Sequence, residues 1–137
     1  MKKTLLITLC MVVSVARANA DPARLQEIRT EAEKGDPKAQ NKLGVYYQLG
    51  LSVEPDEAEA CRWFRKAAEQ GDGEAQFNLG EIYETGRGVP VNKREALLWF
   101  RKSCDNGCKC GCRSFRKLKR ELESEQALQK ARIHDVS

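Results

Sequence analysis

Gly35-Asp-Pro-Lys-Ala-Gln-Asn-Lys-Leu-Gly-Val-Tyr-Tyr-Gln-Leu-Gly50 is repeated, 36 residues later, by Gly71-Asp-Gly-Glu-Ala-Gln-Phe-Asn-Leu-Gly-Glu-Ile-Tyr-Glu-Thr-Gly86. Extending both copies outward aligns residues 32–67 with 68–103 without a gap, and 17 of the 36 positions are identical. Chance would supply only a few, so the chain contains a duplicated supersecondary unit. Within each copy the apolar and small residues step by three and four. Ala39, Leu43, Gly44 and Tyr47 mark one helical face; Ala60, Trp63, Phe64 and Ala67 mark a second. Asp36-Pro37 reads as a helix N-cap with Pro at the first position, and Asp72 repeats the cap. Gly50 and Gly86 end that helix, and Asp56 or Asn92 caps the next. Gly44 and Gly80 fall inside helices, where glycine costs about 1 kcal/mol relative to alanine. Their presence in both copies predicts a close approach of two helices there.

The unit is an αα-hairpin, and hairpins of this period stack as a solenoid. The expected fold is therefore all-α, a short α/α superhelix with capping helices. Residues 21–34 supply an N-terminal cap, with Leu25 and Ile28 in the phase of Cys61 and Phe64, and residues 35–103 hold the two repeats. Residues 104–137 form a closing helix with Phe115, Leu118 and Leu122 on one stripe, running through Leu128 toward Ile133 as a basic tail.

The pattern Gly-Asp-x-x-Ala-Gln-x-x-Leu-Gly-x-x-Tyr-x-x-Gly at 35–50 and 71–86 resembles the Sel-1-like repeat family. Gly86-Arg-Gly-Val89 and the Trp-Phe-Arg-Lys runs at 63–66 and 99–102 strengthen that likeness, which spans about residues 32–118. It implies a superhelix related to tetratricopeptide arrays, whose usual work is to scaffold protein–protein contacts. Leu51-Ser52 departs from the family's Gly-x-Gly turn.

The N-terminus has the three-part pattern of a cleavable export signal over residues 1–20. Lys2 and Lys3 precede an uncharged run from Thr4 to Ala16, and Ala18-Asn19-Ala20 gives a small-x-small cleavage site before Asp21. The run is shorter than the ~20 apolar residues a spanning helix needs, so no membrane span is expected. The formal charge of the whole chain is +4. Cleavage after Ala20 would remove Lys2, Lys3 and Arg17 but no acid, leaving 21 bases against 20 acids. That near-neutral balance gives no case for nucleic acid. It is polar along the chain: residues 21–100 hold 11 bases and 15 acids, and residues 101–137 hold 10 and 5. The run Arg113, Arg116, Lys117, Lys119, Arg120 reads as a solvated helix surface, or as a face for an anionic membrane or an acidic partner. The expected location is periplasmic or secreted, where cysteines oxidise.

Four of the six cysteines, Cys104, Cys108, Cys110 and Cys112, fall within nine residues. In repeat phase Cys104 and Cys112 replace Ala68 and Gln76, positions that face each other across the hairpin turn. The same spacing at the same positions resembles the cysteine-rich exported (Hcp-type) branch of the family, and that resemblance implies a Cys104–Cys112 disulfide. Cys108 and Cys110 are not accounted for by it. They are open to a second disulfide, or to a soft metal such as Zn(II) or Cu(I) held with Cys104 and Cys112, although the spacing matches no structural zinc pattern. Cys61, in phase with Leu97, reads as a buried thiol. With an odd number of cysteines after cleavage, an intermolecular disulfide also stays open.

No catalytic constellation is evident and no cofactor is called for. His134, the single histidine, stands near the end of the chain. Ser114-Phe-Arg-Lys117 fits the Ser-x-x-Lys pattern of penicillin-interacting enzymes, but six serines and twelve lysines give roughly half a match by accident. Neither Ser-Asp-Asn nor Lys-Thr-Gly accompanies it. The Hcp-type resemblance implies β-lactam binding or hydrolysis as an alternative function, and the Cys-x-Cys turn offers thiol or metal handling as another. Glu54, Asp56, Glu57 and Glu59 read as a solvated helix start favoured by the helix dipole. The leading expectation is a protein-binding groove on the first helix of each hairpin, at Asn41, Val45 and Gln48 and at Phe77, Glu81 and Glu84. Two repeats make a small groove, so larger partners would call for oligomers.

Overall fold

The computed structural model describes residues 21–135, so the export signal read at residues 1–20 lies outside the described residues. Six helices follow one another: α1 (Pro22–Glu33), α2 (Pro37–Leu49), α3 (Glu57–Glu69), α4 (Gly73–Thr85), α5 (Lys93–Asp105) and α6 (Lys109–Asp135). Each packs on the next, and α4 also touches α6. Among the described residues there is no strand, and no helix is long and apolar enough to cross a membrane. The helices form two complete hairpins, α2–α3 and α4–α5, between a first helix and a long last one.

The helix ends fall where the residue chemistry puts them. Asp36 and Asp72 accept the N–H groups of Ala39 and Ala75 at 2.7 and 2.8 Å, and Asp56 and Asn92 cap α3 and α5 in the same way. Gly50 and Gly86 close α2 and α4 with φ of 67° and 75°, a left-handed conformation that glycine adopts without a Cβ clash. Ser52, in the phase of Gly88, takes φ 55°, so the first copy makes the same turn with a residue less suited to it. The loops return at one point: the Asp56 and Asn92 N–H groups donate to the Tyr47 and Tyr83 carbonyls at 2.9 and 2.8 Å.

The repeated Trp-Phe-Arg-Lys run has a physical reading residue by residue. Phe64 and Phe100 are fully buried against the two helical glycines. A Cβ added at Gly44 or Gly80 would stand 2.7 or 2.6 Å from the facing ring. This is the close approach expected from the sequence. Lys66 and Lys102 lie over the Trp63 and Trp99 rings, 4.2 and 4.1 Å from the centroids. Arg65 donates to the Tyr83 hydroxyl, as Arg29 does to Tyr47 at 3.2 Å. The core follows the stacking. Leu25, Ile28, Ala32 and Leu43 join α1 to α2. Phe64, Ala67, Leu79, Ile82 and Trp99 fill the middle, and Ala96, Phe100 and Leu118 seat α6. Full burial of a Leu or Phe side chain stabilises by about 1.5–3 kcal/mol. Beyond Leu122, α6 leaves the body, and Leu128 and Ile133 are exposed. An ion pair from Lys93 to Glu125 at 2.8 Å ties its middle back to α5.

Candidate functional site

Two regions gather the residues singled out by the sequence. The first is the face of α2 and α4. Asn41 is buried, its amide nitrogen 3.4 Å from the Glu74 carboxylate and its oxygen accepting from Asn78 at 2.9 Å. Val45 is half-buried against the middle core. Phe77 is half-buried with its ring 5.8 Å from that of Phe100. Gln48, Glu81 and Glu84 are half-buried beside them. Burial pushes the Glu81 carboxyl above its ordinary value, Arg87 pulls it back and Glu84 pushes it up again. Polar atoms on this face therefore divide into those committed between repeats, at Asn41, and the carboxylates of Glu81 and Glu84.

The second region is the turn between α5 and α6. A side-chain ladder runs along this side of the stack. Gln40 and Gln76 donate to the Ala32 and Ala68 carbonyls eight residues back, at 3.1 and 3.0 Å. Gln70 and Asn106, one period apart, then donate to Gln40 and Gln76 at 2.7 and 2.9 Å. At the third turn the ladder changes chemistry. Cys104 and Cys112 stand in the phase of Ala68 and Gln76, and their sulfurs lie 1.95 Å apart, at disulfide distance, with Cα atoms 4.4 Å apart. A covalent distance takes the place of a hydrogen bond.

The neighbouring residues change with it. Ser103 replaces Ala67, and its hydroxyl donates to the Gly73 carbonyl at 2.6 Å. Gly111 replaces Ala75, and a Cβ there would meet the Ser103 Cβ at 2.5 Å. The larger side chain on α5 is accommodated by removal of one on α6. Cys108 stands in the phase of Asp36 and Asp72, so a sulfur occupies the capping position at the start of α6. Burial alone would raise the Cys108 thiol. Hydrogen bonding from the Gly111 backbone, three residues on, then from the Ser103 hydroxyl and from the backbone and thiol of Cys110 outweighs it and holds the group below its ordinary value. Cys110 is exposed, and both are free thiols. Cys61 is buried, and that burial pushes its thiol up against the opposing pull of Arg65.

Cys108 also lines a cleft of about 490 Å³ between α2, the start of α4 and this turn. Lys38, Lys42 and Lys109 border it together with Asp72 and Glu74. The Asp72 carboxylate is committed to its cap and that of Glu74 to Asn41, whereas the three lysines make no ion pair among the described residues.

Other candidates are placed as follows. No group of three or more His, Cys, Asp or Glu among the described residues is arranged to hold a metal ion, and Cys104 and Cys112 face each other rather than a shared centre with Cys108 and Cys110. Ser114 is half-buried on α6, and Lys117 points to Glu121 at 3.9 Å. His134 is exposed at the far end of α6. The polar ladder and the capping role of Cys108 were not read from the sequence. Their signals were there: Gln40 and Gln76 are identical in phase, and 108 is one further period from Asp72.

Comparison with known proteins gives the family. The Sel1 repeat model matches residues 37–72 and 73–108. A Sel1 repeat protein from Oxalobacter formigenes is similar in structure, with a TM-score of 0.64 and 34% identity over 66% of this chain and 37% of that one. The antigen c5321 of uropathogenic Escherichia coli, which displays an SLR fold, gives a TM-score of 0.70 and 37% identity over 80% of this chain and 23% of that one. The chain thus spans well under half the length of those two proteins. Helicobacter pylori cysteine-rich protein B is matched over 82% of this chain and 95% of its own, with a TM-score of 0.64; at 23% identity it bears on the fold alone. No curated protein sequence matches. The two matched repeats cover more than half of the chain, which belongs to the Sel1 repeat family, whose members generally serve as protein–protein interaction modules.

Proposed function

We propose that the chain is an exported interaction module, released by cleavage after Ala20, whose α2/α4 face holds a segment of another protein. The observation that carries this reading is the pair of consecutive Sel1 repeats. Its surface would run from Asn41, Val45 and Gln48 to Phe77, Glu81 and Glu84. The carboxylates of Glu81 and Glu84 favour a partner segment bearing lysine or arginine. A cation set against Glu81 would offset the burial that now disfavours its charge. An oxidising compartment would keep Cys104 and Cys112 joined. No contact described above favours the β-lactam reading of Ser114 and Lys117.

Site-specific photocrosslinking in the native host tests the binding face. A crosslinker at Gln48 should capture a protein partner, and Glu81→Gln with Glu84→Gln should abolish capture while the melting temperature stays unchanged. Equal capture from a crosslinker at Arg113, or capture indifferent to the two substitutions, would overturn this placement.

A further inference from the structure

The cleft beside Cys108 adjoins the interaction face at Asn41, and the free Cys108 thiol lines it, with the exposed Cys110 thiol two residues on. We propose that Cys108 and Cys110 form a thiol–disulfide exchange site that reduces small, carboxylate-bearing disulfides entering this cleft. Three independent features converge there. The first is the dithiol itself: Cys108 sits half-buried at the capping position of α6, and Cys110, two residues on, is a free thiol exposed to solvent. The second is the cavity, about 490 Å³, large enough for a tripeptide-sized ligand and lined in part by Cys108. The third is charge. Lys38 and Lys42 from α2 and Lys109 from α6 face a space in which Asp72 and Glu74 already have partners. Those two carboxylates keep their charge, so three cations against two anions leave the cleft weakly positive, which favours a carboxylate-bearing molecule.

A single turnover balances with the protein dithiol as the two-electron reductant. The Cys108 thiolate attacks one sulfur of R–S–S–R; a Cys108–S–S–R bond forms, the original S–S bond breaks, and RS⁻ leaves and takes a proton from water. Cys110 gives its proton to water and attacks the Cys108 sulfur, forming Cys108–S–S–Cys110 and expelling the second RS⁻, which is protonated in turn. Two electrons pass from the protein dithiol to the small disulfide, giving two R–SH. The thiolate is the attacking species, and N–H groups aimed at the sulfur favour it. Cys61 is buried with its thiol pushed up, so it stays out of the reaction.

Repeat symmetry supplies the control. Cys108→Asp restores the capping carboxylate used at Asp36 and Asp72, so it removes the sulfur while keeping the start of α6. Purified chain is mixed with oxidised glutathione or, as an uncharged probe, 2-hydroxyethyl disulfide; released thiol and protein mass are followed. The chain should release two glutathione molecules and retain none. Cys110→Ser should release one and retain the other on Cys108, and Cys108→Asp should release neither. Lys38→Gln with Lys42→Gln should slow the glutathione reaction on the order of tenfold and leave the uncharged probe unchanged. An adduct formed on Cys110 in folded Cys108→Asp at the original rate would overturn the assignment. Equal slowing of both probes by the lysine substitutions would overturn the charge selection.

Discussion

The Cys104–Cys112 closure can be weighed against the hydrogen bond it replaces. The two cysteines are separated by eight residues. A loop of that length, cross-linked in the unfolded chain, loses entropy equivalent to about 2.5 kcal/mol at 25 °C. The equivalent pairs Gln40–Ala32 and Gln76–Ala68 are joined by single hydrogen bonds of 3.1 and 3.0 Å, each worth a net ~1 kcal/mol. Cys104→Ala with Cys112→Gln therefore exchanges one staple for the other. It should lose about 1.5 kcal/mol, whereas Cys104→Ala with Cys112→Ala should lose about 2.5 kcal/mol. Urea unfolding followed by circular dichroism reads both values. Adding a reductant should destabilise the original chain toward the double-alanine variant and leave both variants unmoved. An Ala/Gln chain no more stable than the Ala/Ala chain would show that the repeat positions are not interchangeable. Two variants as stable as the original would show that the closure contributes nothing.

Three further outcomes follow from the same geometry. Gly80→Ala gains about 1 kcal/mol of helix propensity but drives a Cβ to 2.6 Å from the buried Phe100 ring, an overpacking of ~1–3 kcal/mol; a net loss is expected, and adding Phe100→Leu should recover part of it in a double-mutant cycle of unfolding free energies. Arg62→Leu, which copies Leu98 of the second repeat, frees Glu59 to accept from the buried Trp63 indole, as Glu95 does for Trp99 at 3.0 Å. Satisfying that donor should outweigh an exposed ion pair of ~0.5 kcal/mol, read as a higher melting temperature and a shifted tryptophan emission. Because the Cys108 thiol is held low in the folded chain, its contribution is complete above the ordinary thiol range and lost as pH falls through the lowered value. The stability gap between the original chain and Cys108→Ser should therefore widen as pH rises toward 9, and a gap that narrows would refute it.

The fold was legible because the repeat prints the same physics twice. Asp36 and Asp72, Gly50 and Gly86, Gly44 and Gly80 each state a local requirement, and duplication separates requirement from accident. The same logic extends to Cys104 and Cys112 once they are placed in phase. It was less informative at the face of α2 and α4, where Asn41 and Phe77, or Val45 and Glu81, share a position but not a chemistry. Only three-dimensional placement distinguishes the half-buried Phe77 on Phe100 from the committed amide of Asn41. The Trp63 indole shows the limit most plainly. Its repeat partner Trp99 has the same glutamate four residues earlier, yet Arg62, standing where the second copy has Leu98, takes the Glu59 carboxylate away.

The changes at the third turn are correlated, and this bears on what the turn is for. Relative to the second turn, Ser103 replaces Ala67, Cys104 replaces Ala68, Cys108 replaces Asp72, Gly111 replaces Ala75 and Cys112 replaces Gln76. Four of these five form two compensating pairs. Ser103 needs Gly111, since a Cβ there would reach 2.5 Å from its own, and Cys104 needs Cys112 to replace the lost hydrogen bond. Cys108 meets the first pair through its N–H, which donates to the Ser103 carbonyl at 3.0 Å, a bond that needs no sulfur. An aspartate would cap α6 as well as it caps α2 and α4, so closing the end of the stack does not require a sulfur there. What the sulfur adds is a thiol in the lining of a cleft bordered by Lys38, Lys42 and Lys109. The residue that architecture leaves unexplained is the one that chemistry can use, and the rest of the turn holds it in place.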